Sequence, residues 1–271
     1  ACLVGSEMCI RDRQRTGIRI HLFLSPNYRG HVSMVNGIIE YISLQDLETY
    51  KRVPEGLPNF RNELHDTRNF MILMNAKTEL VKRAIDSQMH STNHYAWIDF
   101  GICHMFRTSD LTLRTLTNMT LPDKCLYIPG CWDHPSSEFS HVTWRFCGSF
   151  FVGDKTSVLE FARRMFDVLP TLPHLAWEVN VWSHLETLGW KPDWYKADHN
   201  DSILNIPGVS GVVRVPPNVP LYWRGGYSEF NVGSAIESYL SESIRRHPGV
   251  SVVVSQSDGL IGEEEFNRFS K

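Results

Sequence analysis

The chain has 271 residues, enough for one large domain or two small ones with a sizeable core. A hydrophobic share of 42% and a charged share of 21% belong to an ordinary globular protein, and a net charge of −3 without runs of like charge excludes a nucleic-acid-binding surface. No stretch approaches the ~18 to 20 apolar residues that span a bilayer, and the start lacks a signal-peptide layout, so a cytoplasmic protein is expected, with at most peripheral membrane association.

Residues 1–13 stand apart. SEMCIRDR at 6–13 resembles translated sequencing-adapter read-through, so this start is expected to be non-native, with a genuine flexible N-terminus as the alternative. Residues 18–24 alternate like a strand before the turn Ser25-Pro26-Asn27. Over 34–50, Met34, Ile38, Ile39 and Ile42 recur at helical intervals until Pro54, Gly56 and Pro58 break the pattern. Residues 70–74 read as a short buried strand, and 77–89 as a helix with Leu80, Val81, Ala84 and Ile85 on one face. With the apolar run that follows, this predicts a strand, helix, strand unit and a parallel sheet with a right-handed crossover.

That next run, YAWIDFG at 95–101, organises the chain. It sets one carboxylate, Asp99, among apolar residues, and a carboxylate is rarely buried without a partner. The carboxyl ends of strands in open α/β sheets are where ligands bind, and Gly101 permits close approach. Asp99 is therefore a candidate ligand for a divalent cation that holds a diphosphate, or else a turn cap or the partner of a buried Arg.

Beyond a polar segment to Asn118, residues 125–129 predict a short strand and 144–153 a second apolar block. Gly148 inside it marks a bulge or a backbone that something approaches closely. Asp154 or Thr156 caps a helix whose inward stripe reads Val158, Leu159, Ala162, Met165 and Phe166 before Pro170. The next helix, 175–188, stops at Gly189, and Glu178 shares a face with Val181, Trp182 and Leu185. Such a carboxylate either pairs with a buried cation or is tuned for chemistry. Residues 190–201 read as a loop dense in aromatics and metal-capable groups. The side chains of Asp198 and His199 diverge, so at most one meets a metal held by Asp99. Residues 203–220 read as a connector, and Arg224-Gly225-Gly226-Tyr227 leads into a helix near 234–246, a strand at 250–255 and a polar tail.

The six cysteines, Cys2, Cys9, Cys103, Cys125, Cys131 and Cys147, form no C-x-x-C pair and match no zinc spacing, so reduced thiols are the expectation. Eight Trp and nine Tyr, several in loop-like stretches, suggest stacking on flat ligands or sugar faces, although large α/β cores also use Trp.

Five blocks in order, MNAKTELVKRAI (74–85), AWIDFG (96–101), RFCGSFFVG (145–153), WEVNVW (177–182) and WYKADHNDSILNIP (194–207), together resemble the HtrL/YibB family, also called WlaTC-like, of predicted bacterial glycosyltransferases. The resemblance covers roughly 54–207 and implies an α/β glycosyltransferase A-type domain, a mixed sheet flanked by helices, placed over 14–220, while the tail at 221–271 reads by its own pattern as an α/β extension. It implies a nucleotide-sugar donor, a manganese or magnesium ion, and a glycan or lipid-linked acceptor in surface polysaccharide or lipopolysaccharide synthesis.

Carried over by block, the resemblance makes Asp99 the single acid of the metal motif and His199 the residue that completes the coordination. Glu178 becomes the base of an inverting enzyme or the acid over the sugar of a retaining one, and Lys77 a partner of the diphosphate. Gly148 lets the acceptor lie against the backbone, and Trp97, Trp177, Asn180, Trp182 and Asn200 count among donor or substrate contacts. Trp177, Trp182 or Trp194 would stack on a sugar. The nucleobase-holding first strand is not recognisable before Arg15, so the domain is expected to be truncated. A catalytically silent sugar- or nucleotide-binding module, and a metal-dependent hydrolase or nucleotidyltransferase using Asp99, Glu178 and His199, are the alternatives.

Overall fold

A computed structural model describes residues 19–29, 37–99, 102, 106, 115 and 118–209. The expectations for residues 1–13, for the connector beyond 209 and for the extension at 221–271 lie outside them.

Strands β1 (Ile20–Leu24) and β2 (Gly37–Tyr41) pair in parallel, from Ile20 opposite Gly37 to Leu24 opposite Tyr41. β1 lies where alternation placed it. β2 replaces part of the helix expected over 34–50, because adjacent β-branched Ile38 and Ile39 suit a pleated strand. The rest of that segment is a 3-10 turn, Leu44–Asp46, and a short helix α1 (Glu48–Arg52). Leu47 offers α1 no capping side chain, so Glu79 reaches across and accepts from the backbone N–H groups of Glu48 and Thr49, both at 2.8 Å.

Helix α2 (Arg68–Asn75) stands where a strand was expected at 70–74. Thr67 caps it by accepting from the Phe70 N–H, and the apolar run divides by helical spacing: Met71, Ile72 and Asn75 face inward, Phe70 and Leu73 outward. Helix α3 (Lys77–Asp86) follows after Ala76 and buries Leu80, Val81, Ala84 and Ile85 as its pattern predicts.

Strands β3 (His94–Ile98), β4 (Leu126–Gly130), β5 (Phe150–Asp154) and β6 (Asp193–Lys196) form one mixed sheet in the order β3-β5-β4-β6. β5 runs antiparallel to both β3 and β4, and β6 pairs in parallel with β4 in a region expected to be a loop. The anticipated parallel unit is therefore not formed, since its first strand is a helix and β3 pairs antiparallel.

All five residues of β5 are buried. Phe151 faces the layer of helices α4 (Lys155–Val168) and α5 (Glu178–Thr187), while Phe150 and Val152 face a layer built by Tyr195, Ile203, Leu204 and Ile206. Asp154 caps α4 through the Thr156 and Ser157 N–H groups. The inward stripe of α4 is Val158, Phe161, Ala162, Met165 and Val168, so Leu159 and Phe166 flank the core rather than fill it. Trp182 of α5 packs edge-on against Phe161 and Phe151, with ring centroids 5.4 and 5.9 Å away. The described chain is a mixed α/β fold, a mixed sheet with helices on one face.

Candidate functional site

Lys77 opens α3, Glu178 opens α5, Asp99 follows β3 and Gly148 precedes β5, and the four meet. Only 1% of the Lys77 side chain is exposed. Its Nζ donates to Glu178 Oε1 at 2.7 Å, to the Gly148 carbonyl at 2.9 Å and to Asp99 Oδ2 at 3.2 Å. An ammonium has three donors, and all three are used. Burial drives the Lys77 pKa down, but the carboxylates of Asp99 and Glu178 outweigh it, and the group lies above its ordinary value. Glu178 also gains from sitting at a helix N-terminus, where a cation such as Lys77 is disfavoured. Trp97 Nε1 donates to Asp99 Oδ1 at 2.6 Å, so the Asp99 carboxylate is held from two sides.

Exposure separates the two acids. The Asp99 side chain is 32% exposed and that of Glu178 only 8%. A Cβ at Gly148 would stand 2.2 Å from Glu178 Oε1, so the close approach of that carboxylate requires glycine here.

Several expected contacts take other roles. Lys77 is too deeply buried to meet a diphosphate. Trp182 is fully buried in the core and offers no face to a sugar, and Trp177 is buried where α5 begins. Asn180 uses its amide to pin the 138–143 segment to α5: Oδ1 accepts from the Thr143 N–H at 3.0 Å, and Nδ2 donates to the carbonyls of Glu138 and His141 at 2.6 and 2.7 Å. One face of Trp194 is covered by the Arg145 guanidinium, 4.0 Å from the ring centroid. Asn200 accepts from the Ser202 N–H at 2.7 Å, while its Nδ2 and the Ser149 hydroxyl find no partner among the described residues.

A second cluster lies past the carboxyl ends of β4 and β6. Cys131 N–H donates to the Trp144 carbonyl, Cys147 N–H to that of Pro129 and Ala197 N–H to that of Gly130, at 3.0, 2.7 and 2.8 Å. These bonds bring Cys131, Cys147 and His199 together, with Sγ to Sγ at 3.6 Å and Cys131 Sγ to His199 Nδ1 at 3.8 Å. The ring of Trp144 packs edge-on against His199, with centroids 4.5 Å apart. The hydrogen bond from Cys147, aided by His199, holds the Cys131 thiol at about 6 against desolvation. The same bond, with burial, raises the Cys147 thiol well above the usual range.

His199 therefore sits with two cysteines and Asp99 with Lys77 and Trp97, and no ion pair joins Asp99 to His199 among the described residues. The pair does not fit the manganese or magnesium site expected of it, because those ions prefer oxygen donors and His199 lies among thiols. The sequence reading missed Cys131 and Cys147, whose separation of 16 residues matches no local metal motif.

Residues 10–126 match the family model HtrL_YibB, described as a bacterial protein of unknown function. No curated protein and no solved structure matches the chain. The matched span takes in β1 to β3 with Lys77 and Asp99, while Gly148, Glu178 and His199 lie beyond it. No helix among the described residues is long and apolar enough to cross a membrane. Over residues 10–126 the chain is similar to the HtrL_YibB family of bacterial proteins of unknown function.

Proposed function

We propose that the chain is a glycosyltransferase of the A-type fold, moving a sugar from a nucleotide-activated donor to a glycan or lipid-linked acceptor in surface polysaccharide synthesis. The observation that carries this reading is the Asp99 carboxylate, held at the end of β3 by Lys77 and Trp97 while 32% of its side chain stays exposed. A carboxylate fixed in this way is suited to accept hydrogen bonds from sugar or ribose hydroxyls in a defined orientation.

In this reading an acceptor hydroxyl attacks the anomeric carbon, the bond to the diphosphate breaks, and the hydroxyl proton leaves to a base. Asp99 orients the donor. Glu178, bonded to Lys77 and buried, is a positioning residue that keeps the ammonium against Asp99 rather than the base itself. No step runs through a metal, since Asp99 and His199 do not form one ligand set.

Thermal shift with a panel of nucleotide sugars, with and without manganese, on wild type and Asp99→Ala, tests the reading. A rise in melting temperature for one donor that disappears in Asp99→Ala supports it and names the sugar. A folded protein that responds to no donor overturns it, and a rise that survives the substitution moves the donor site away from Asp99.

A further inference from the structure

We infer that Cys131, Cys147 and His199 form a binding site for a soft divalent cation, zinc in the first instance, and supply its three ligands among the described residues. The inference is independent of the transferase reading. It rests on geometry: tetrahedral zinc with bonds of about 2.3 Å to sulfur and about 2.0 to 2.1 Å to nitrogen sets sulfur to sulfur at about 3.8 Å and sulfur to nitrogen at about 3.6 Å. The separations here are 3.6 Å between the sulfurs and 3.8 Å from Cys131 Sγ to His199 Nδ1, and all three ligand atoms lie within 4.8 Å of one another. Two of the three separations match the edges of a tetrahedral face, and the third, from Cys147 Sγ to His199, stays within 4.8 Å.

Backbone bonds from Cys131 to Trp144, from Cys147 to Pro129 and from Ala197 to Gly130 fix the three segments, and Trp144 packs against the His199 ring. A site held by its surroundings binds at less entropic cost than one the ion must assemble. Donor chemistry selects the metal. Two thiols and an imidazole favour zinc over magnesium or manganese. Burial differs across the set: Cys131 and Cys147 are buried, whereas His199 is half-buried. On binding, both thiols lose their protons to solvent and the thiolate charges balance the cation, so affinity rises with pH.

The experiment uses the full chain, purified under reductant and stripped with a chelator, then titrated with cobalt(II) as a spectroscopic probe and with zinc as competitor. One equivalent of cobalt is expected to give thiolate charge-transfer absorption and the intense visible bands of a tetrahedral ion, and one equivalent of zinc to bleach them. Cys131→Ala and His199→Ala, each checked by circular dichroism for retained fold, are expected to weaken zinc by at least the roughly 10 to 100-fold that loss of an outer-shell partner costs. A folded wild type without tetrahedral cobalt bands overturns the inference. So does unchanged affinity in Cys131→Ala and His199→Ala, which places the ion elsewhere. If Cys131→Ala fails to fold, His199→Ala carries the test, because its ring is half-buried.

Discussion

Lys77 Nζ and Glu178 Oε1 lie 2.7 Å apart although 101 residues separate them, and each side chain stands at the first position of its helix. The bond ties α3 to α5 beneath Asp99. Removing one partner leaves a buried charge uncompensated, so Lys77→Met is expected to cost about 3 to 5 kcal/mol in urea denaturation. The double variant Lys77→Met/Glu178→Met should recover roughly half of that loss or more, since apolar replacement of both partners removes the orphaned charge. A double variant as unstable as the single would show that the pair is not the source.

Gly148→Ala should destabilise the fold by about 1 to 3 kcal/mol, because the new methyl meets a carboxylate that Lys77 holds in place. The obstructing atom is Glu178 Oε1, 2.2 Å from the built Cβ. In a double-mutant cycle with Glu178→Ala the cost of the methyl should shrink. Equal costs in both backgrounds would place the strain at Val179, whose Cγ1 would lie 3.1 Å from the same Cβ.

Arg145 supports the second cluster from outside. Its guanidinium makes a two-point bond to Glu186 at 2.5 and 2.7 Å, donates to the carbonyls of Trp132 and Asp133, and lies over Trp194. Arg145→Met leaves Glu186 half-buried and unpaired, and a loss of about 3 to 5 kcal/mol is expected. Because Arg145 also holds the segment between the two cysteines, the same variant should raise the alkylation rate of Cys131 measured by mass spectrometry. Unchanged labelling would detach the clamp from the cluster.

Stability should fall on both sides of neutrality, for different groups. Burial lowers the pKa of His21 against the opposing pull of Glu40, and burial, His21 and Arg19 lower that of His90. Below the ordinary value of 6.5 the unfolded chain binds protons that the folded chain refuses, so stability is lost as pH falls through that window. Lys77 acts in the opposite sense. Its raised pKa contributes fully below its ordinary 10.5 and is lost as pH rises through the folded value. Chemical denaturation across pH checks both limbs, and His21→Phe should flatten the acid limb while leaving the alkaline one. An acid limb unaltered in that variant would assign it to other groups.

Much of the helical part was legible because its determinants are local. Leu80, Val81, Ala84 and Ile85 share one face within α3, Asp154 caps the residues directly after it, and Gly189 ends α5 with φ at +92°. Glu178 could be read as inward-facing from the same spacing, and the pairing with a buried cation named for it is the one the structure contains. The segments at 37–41 and 68–75 were misread for a matching reason. A short apolar run carries too few periods to separate strand from helix, and the capping bond at Thr67 and the pairing with β1 decided them.

By itself the sequence determined the α/β class, the stripes of α3 and α5, the Gly189 stop of α5, and the prominence of Asp99 and Glu178, since these depend on side-chain chemistry within a few turns of chain. Only the tertiary structure decided that β3 runs antiparallel to β5, that Lys77 joins Asp99 to Glu178, and that His199 meets Cys131 and Cys147 instead of Asp99. Those outcomes follow from how strands pair and loops return across long separations, where close packing selects one arrangement among many that local preferences allow equally.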